Sequence, residues 1–296
     1  MIAPWMLYCV AVGVLLSACA AALDGALRPL GRPTRGTWMA ALVLTLALPA
    51  AVRMFGALPP VAPRHPAAPT LPAAPAPKTA ADAPVTRSLP RITPPALPRV
   101  IDVQRLETPL ATLWIGSSAA GALVLAALTG ALARRRRGWA AAEVDGVPVL
   151  VSADVGPAVV GLLRGRIVLP RWVVDGDAES RALVLEHERE HVRAGDPRLL
   201  ACALLLAVLT PWNPAVWWQL RRLRLAVEAD CDARVLRRRG DVRAYGAVLL
   251  EVGRRASRSR LAAAAAFAEP VSTLERRIRI MTAPRARRPL LRAAAL

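Results

Sequence analysis

Histidine is nearly missing from this chain, which has three in 296 residues. Aromatic residues make up 4%, and cysteines number four. Acidic residues are outnumbered, 21 against 40 Lys and Arg, for a formal net charge of +19. A hydrophobic content of 55% excludes a disordered chain despite 27 prolines, and it also excludes a soluble domain of average composition. The basic excess raises nucleic acid as a partner, but no helix-turn-helix or other DNA-reading pattern accompanies it. The arginines sit instead beside apolar blocks, at Arg134 to Arg137 and at Arg221, Arg222 and Arg224, where topology and anionic lipid account for them. A lipid bilayer is the expected partner, and direct nucleic-acid contact is not.

Charge is absent from residues 2–23, a run long enough to span a bilayer. A cleaved signal peptide would need a basic start, yet no Lys or Arg precedes Arg28. Leu16-Ser17-Ala18-Cys19 resembles a lipoprotein box, but the apolar run before it exceeds a typical leader core. A second apolar block at 38–52 extends to Leu58, with Arg53 reaching out to the interface. Residues 1–58 therefore read as two transmembrane helices joined by a short cytoplasmic loop holding Arg28, Arg32 and Arg35. Residues 59–107 form a Pro/Ala-rich extracytoplasmic linker, extended and polyproline-like. Residues 108–133 supply the third transmembrane helix, closed by the four arginines. The basic bias places the loop and everything after Ala133 in the cytoplasm, although the linker carries six basic residues of its own.

The composition changes from Glu143 onward. Residues 147–152 and 166–169 read as short strands separated by turns at 154–157 and Gly161. A helical pattern then runs over 177–195, with Asp177 or Ser180 as its cap and Gly195 as its stop. Inside it lies His187-Glu188-Arg189-Glu190-His191, which uses two of the three histidines. Residues four apart share one helix face, so His187 and His191 can aim at a single point. Zinc accepts that geometry, and Glu188 is placed to act as general base. The pattern alone fixes only three positions, and a solvated helix produces it by chance.

A third ligand decides between these readings. Glu228 and Asp232 are four apart on a later helical stretch. Glu228 completes a His2Glu set, while Asp232 can hold the far nitrogen of a ligating histidine. The alternative is an ordinary charged face, although like charges at that spacing repel and call for a nearby cation. Cys231 points away from the Glu228/Asp232 face and is not expected as a ligand.

The apolar block at 199–218 constrains the topology. His187 and His191 precede it and Glu228 follows it, so a straight crossing would separate them. Pro211 and Asn213-Pro214 interrupt the block and leave 199–210 too short to span. A membrane-associated hairpin, re-entrant or interfacial, is expected, with Trp212, Trp217 and Trp218 at the headgroup level. A buried core hairpin is the alternative. Residues 242–255 and 271–281 read as amphipathic helices, and 283–296 as a basic tail.

These motifs together resemble the BlaR/MecR-type integral-membrane zinc metallopeptidases. The resemblance rests on His187 to His191, Asp196, Asn213-Pro214-Ala215-Val216-Trp217 and Glu228 to Asp232, with Gly161 and Ile167-Val168-Leu169-Pro170 upstream. It implies a mainly α membrane protein whose residues 134–282 form a small α+β gluzincin-like zinc domain. It also implies zinc ligands His187, His191 and Glu228, catalytic Glu188, and Asp232 supporting them. In that family the peptidase is part of a receptor whose action inactivates a transcriptional repressor. The best-known members continue into an extracellular penicillin-binding sensor with an S-x-x-K motif; no such motif occurs here, so a signal is expected through the Pro-rich loop, the helices or a partner.

The expected activity is peptide hydrolysis, Glu188 taking the proton of the attacking water and passing it to the leaving amine. The expected substrate is a cytoplasmic protein such as a repressor, and the expected location is the bacterial inner membrane, multi-pass, with the catalytic domain inside. A homodimer is compatible with the sequence. The reading from another class is a non-catalytic signalling scaffold with a structural or vestigial zinc site, for which Glu188 would be idle.

Overall fold

The computed structural model describes residues 2–55, 107–153, 155–162, 164–258 and 271–283. The expected linker, apart from its last residue, and the basic tail beyond 283 lie outside the described residues. Among the described residues, three helices are long and apolar enough to cross a membrane: α1 (Ile2–Leu27), α2 (Arg35–Phe55) and α3 (Glu107–Arg136). The expected second and third blocks therefore begin three residues and one residue earlier than read from composition, because arginine and glutamate are tolerated in the first helical turn.

A four-stranded sheet follows. It contains β1 (Ala140–Val144), β2 (Val147–Ser152), β3 (Ala158–Val160) and β4 (Arg166–Pro170) in the order β1-β2-β4-β3. The β1–β2 pair is antiparallel through the two-residue turn Asp145-Gly146, whose φ angles of 50° and 74° match a type I′ hairpin. The β2 and β4 strands are parallel, and β3 closes antiparallel on β4. Gly161, at φ 101°, makes the β3–β4 turn; a Cβ there would lie 2.6 Å from the Arg164 carbonyl oxygen, so no other residue fits.

A short helix, α4 (Arg171–Val174), leads into α5 (Ala178–Ala194). The Asp177 carboxylate accepts the Ser180 N–H at 2.8 Å and starts α5, and Gly195, left-handed at φ 69°, stops it. One face of α5, with Val184 and Leu185, packs on Val144, Val149, Ile167 and Leu169 of the sheet. Two expected strands are present, while β1 and β3 were not foreseen: β1 is Ala-rich and β3 has three residues, so neither gives a strong alternating signal.

The apolar block at 199–218 is a helical hairpin of α6 (Asp196–Leu209) and α7 (Pro214–Arg239). Its turn is set by Asn213, whose side chain accepts the Ala215 N–H at 3.0 Å, with Pro214 in the first helical position. The hairpin lies lengthwise along α1 and α2. Its tip reaches the start of α1, where Asn213 Nδ2 donates to the Cys9 carbonyl at 3.4 Å and Trp212 packs 6.1 Å from Trp5 and 6.0 Å from Trp114. Midway, Gln219 Nε2 donates to Ser17 Oγ (2.9 Å), Thr45 Oγ1 (3.0 Å) and the Gly13 carbonyl (3.2 Å). At the far end Asp230 meets the α1–α2 turn. Ala20, Trp38, Leu42, Ala203, Ala207, Val216, Leu223 and Val227 form the shared core of these four helices. Trp212 and Trp218 serve different neighbours, since Trp218 packs on Trp38 at 5.2 Å while Trp212 stays at the tip.

Among the described residues two amphipathic helices follow, α8 (Val242–Arg258) and α9 (Val271–Thr282). Tyr245 and Leu249 of α8 join Leu183, Cys231 and Val235 in a core between α5, α7 and α8.

Candidate metal centre

Because α6 leaves α5 and α7 returns beside it, the two halves of the expected site meet at one end of the hairpin. His187 Nε2 and His191 Nε2 are 3.2 Å apart. The Glu228 carboxylate straddles them, Oε2 lying 3.6 Å from His187 Nε2 and Oε1 3.7 Å from His191 Nε2. A tetrahedral zinc with bonds of roughly 2.0–2.1 Å holds its ligand atoms about 3.3 Å apart, so this triangle fits the ion.

Each imidazole is oriented through its other nitrogen. His191 Nδ1 lies 2.8 Å from Asp196 Oδ2, which makes it a donor and leaves the Nε2 lone pair facing Glu228. His187 Nδ1 is 2.8 Å from the Tyr245 hydroxyl, which donates onward to Asp232 Oδ1 at 2.7 Å. The expected direct hold of Asp232 on His187 is therefore corrected: at 3.8 Å the pair is out of hydrogen-bond range, and Tyr245 stands between them. Burial and the Asp232 charge push the Tyr245 phenol far above its ordinary range, so it stays protonated and can donate.

Arg277 supplies the cation that the Glu228/Asp232 spacing called for. Its guanidinium donates to Asp232 at 2.9 and 2.7 Å and lies 3.1 Å from Glu228 Oε2. Repulsion between the two carboxylates is thus no argument for a metal. Burial opposes protonation of both rings, yet Cys231 and Glu228 around His187, and Glu228 and Asp196 around His191, outweigh it. The pKa of His187 is held at about 10 and that of His191 well above its ordinary value. The two Nε2 atoms, 3.2 Å apart and both facing the Glu228 carboxylate, outline a space that a cation can fill.

Cys231 is nearer the site than the sequence suggested. Its sulfur lies 3.4 Å from His187 Nδ1 and 3.5 Å from the His187 carbonyl oxygen, and one donor atom each from His187, His191 and Cys231 fall within 4.8 Å of one another. The thiol touches His187 at the nitrogen that Tyr245 engages and also interacts with His191, whereas the Glu228 carboxylate faces both Nε2 atoms. Two side chains can therefore supply a third donor beside the histidines, Glu228 and Cys231, which corrects the expectation that Cys231 stands apart from the site.

Glu188 is 5% exposed; burial raises its pKa above the usual carboxylate value while the two imidazoles oppose the rise. Tyr245 and Arg277 escaped sequence reasoning because they arrive from helices 58 and 45 residues away from their partners. Asp196 had a signal, an acid directly after the glycine that ends the histidine helix.

Residues 43–281 match the family described as BlaR1 peptidase M56. The chain belongs to that family. It is 29% identical over 141 residues to the regulatory protein BlaR1 of Bacillus licheniformis, an alignment covering 46% of this chain and 23% of that protein. The expected BlaR/MecR kinship therefore holds, as does the combination of N-terminal membrane helices with a small α+β domain. The matched stretch spans less than a quarter of that relative's length.

Proposed function

We propose that the protein is a zinc-dependent endopeptidase that transduces a signal by cutting a cytoplasmic protein, a transcriptional repressor being the substrate class that the resemblance suggests. The observation carrying this reading is the triangle of His187, His191 and Glu228 with Glu188 buried beside it. When bound, zinc supplies a Lewis acid that activates water and polarises a carbonyl. His187, His191 and Glu228 would hold it. Glu188 accepts the proton from the attacking water and delivers it to the departing amine, and its raised pKa suits a group that must both take and give. Tyr245, Asp196, Asp232 and Arg277 keep the two rings in the tautomer that offers Nε2 inward. The β3 strand is an edge of the sheet close to α5, with Gly165 of its turn set against Val192, and an extended substrate can add along it.

The placement of the site supports a cytoplasmic orientation. It lies at the α1–α2 turn, the end bearing Arg28, Arg32 and Arg35, and opposite the tryptophan cluster at the start of α1.

Glu188→Gln tests the catalytic reading. The variant should bind zinc as the parent does and lose cleavage of a candidate substrate by a factor on the order of 100 or more. Cleavage at the parental rate would refute the role of Glu188.

A further inference from the structure

The turn between α1 and α2 is bonded into the metal centre at two points. On α7, Asp230 lies two residues from both Glu228 and Asp232, on the opposite face of the helix. Its carboxylate accepts the Thr34 N–H at 3.1 and 3.0 Å and the Arg35 N–H at 3.0 Å, so it caps the start of α2 from another element. The Arg35 side chain continues the link. Its Nη1 donates to Asp196 Oδ1 and, at 3.3 Å, to the Ala194 carbonyl at the end of α5. The other Asp196 oxygen is the one 2.8 Å from His191 Nδ1. Thr34, Asp196 and Asp230 are all buried. Whatever moves the start of α2 therefore pulls on the carboxylate that aims His191, and on the stretch of α7 that presents Glu228.

The geometry points to Arg35 as a positioning residue for His191, with Asp230 coupling α2 to the metal site, so that the state of the transmembrane pair sets how tightly zinc is held. This rests on the zinc reading above. Surface arginines also pair with carboxylates without consequence, but Asp196 is 1% exposed and shares its two oxygens between Arg35 and the histidine. Removing Arg35 takes away the cation on Oδ1 and leaves His191 at 2.8 Å and Arg234 at 3.4 Å, both on the other oxygen, so the carboxylate is held from one side.

The test uses the full chain in detergent, zinc-loaded and titrated with a chromophoric chelator. Arg35→Ala should release zinc at about tenfold lower chelator than the parent, the usual cost of losing a group that orients a ligand. Arg35→Lys, which keeps a cation within reach of Asp196, should recover most of the difference. Zinc held by Arg35→Ala as in the parent, while His191→Ala loses it, overturns the coupling alone; zinc retained by His191→Ala overturns the metal reading and the coupling with it. A second measurement needs no variant. Coupling between sites is reciprocal, so zinc should slow amide hydrogen exchange at Thr34 and Arg35 in the parent protein. Equal exchange with zinc bound and with zinc chelated overturns the proposal.

Discussion

Tyr245 is one of two tyrosines in the chain, and its hydroxyl joins His187 to Asp232. The phenolic oxygen accepts from Nδ1 and donates to the carboxylate, so it fixes the His187 tautomer through a relay where His191 uses Asp196 directly. Tyr245→Phe keeps the ring in its core with Cys231, Val235 and Leu249 but breaks both bonds. Zinc affinity should fall at least about tenfold while the fold persists; a chelator titration indistinguishable from the parent would remove Tyr245 from the site. At this scale the sequence was informative where chemistry follows helical spacing. His187, Glu188 and His191 lie on one turn, and Glu228 was singled out by its spacing of four from Asp232 and by the family resemblance. Tyr245 and Arg277 were not legible, since their role depends on how α8 and α9 dock on α5 and α7. The charge pattern of α7 was also misleading: Arg277, not a metal alone, neutralises Glu228 and Asp232.

Among the elements, α5 and α7 are tied by Glu190, the residue just before His191. Its carboxylate is 2% exposed and meets Arg193 at 2.6 Å, Arg234 at 2.9 Å and Arg238. Burial alone would raise its pKa, but the arginines win and hold it below the ordinary value. A group whose pKa is depressed by folding stabilises the protein above the unfolded value, about 4.3 for Glu, and loses that contribution as pH falls through the folded value. The melting temperature should therefore drop on acidification below about pH 4.3, and Glu190→Gln should flatten that acid limb while lowering stability at neutral pH. Identical acid limbs for parent and variant would contradict the assignment. The α1–α7 contact gives a second check. A Cβ at Gly13 would stand 2.9 Å from Ala215 Cβ and 3.1 Å from Thr45 Cγ2, so Gly13→Val must separate helices that Gln219 joins by hydrogen bonds. A lower thermal midpoint in detergent is expected, on the order of 1–3 kcal/mol of overpacking, and an unchanged midpoint would show that α1 is not held there. The hairpin itself was readable from Pro211 and Asn213-Pro214. Its insertion alongside α1 and α2 was not, because small residues such as Ala203, Ala207 and Gly13 announce close packing only once their partners are known.

At the scale of the molecule, the hairpin reconciles two demands that conflict in one dimension. The chain must bring residues 187–191 and 228 together, and it must also bury an apolar block between them. A helical hairpin does both, and it sets the proposed metal site at the end of α1 and α2 that carries the basic turn. An accessible cysteine introduced at exposed Glu143, on the sheet, should react with a membrane-impermeant thiol reagent in inverted vesicles and not in intact cells. Labelling of intact cells would reverse the proposed orientation. The account as a whole depends on three side chains from two helices closing on a single ion. The most direct measurement is the zinc content of the purified chain and of Glu228→Ala. The parent should carry about one zinc per chain and the variant far less; a variant that retains its zinc in full would place the third ligand elsewhere and undo the geometry on which the proposed chemistry stands.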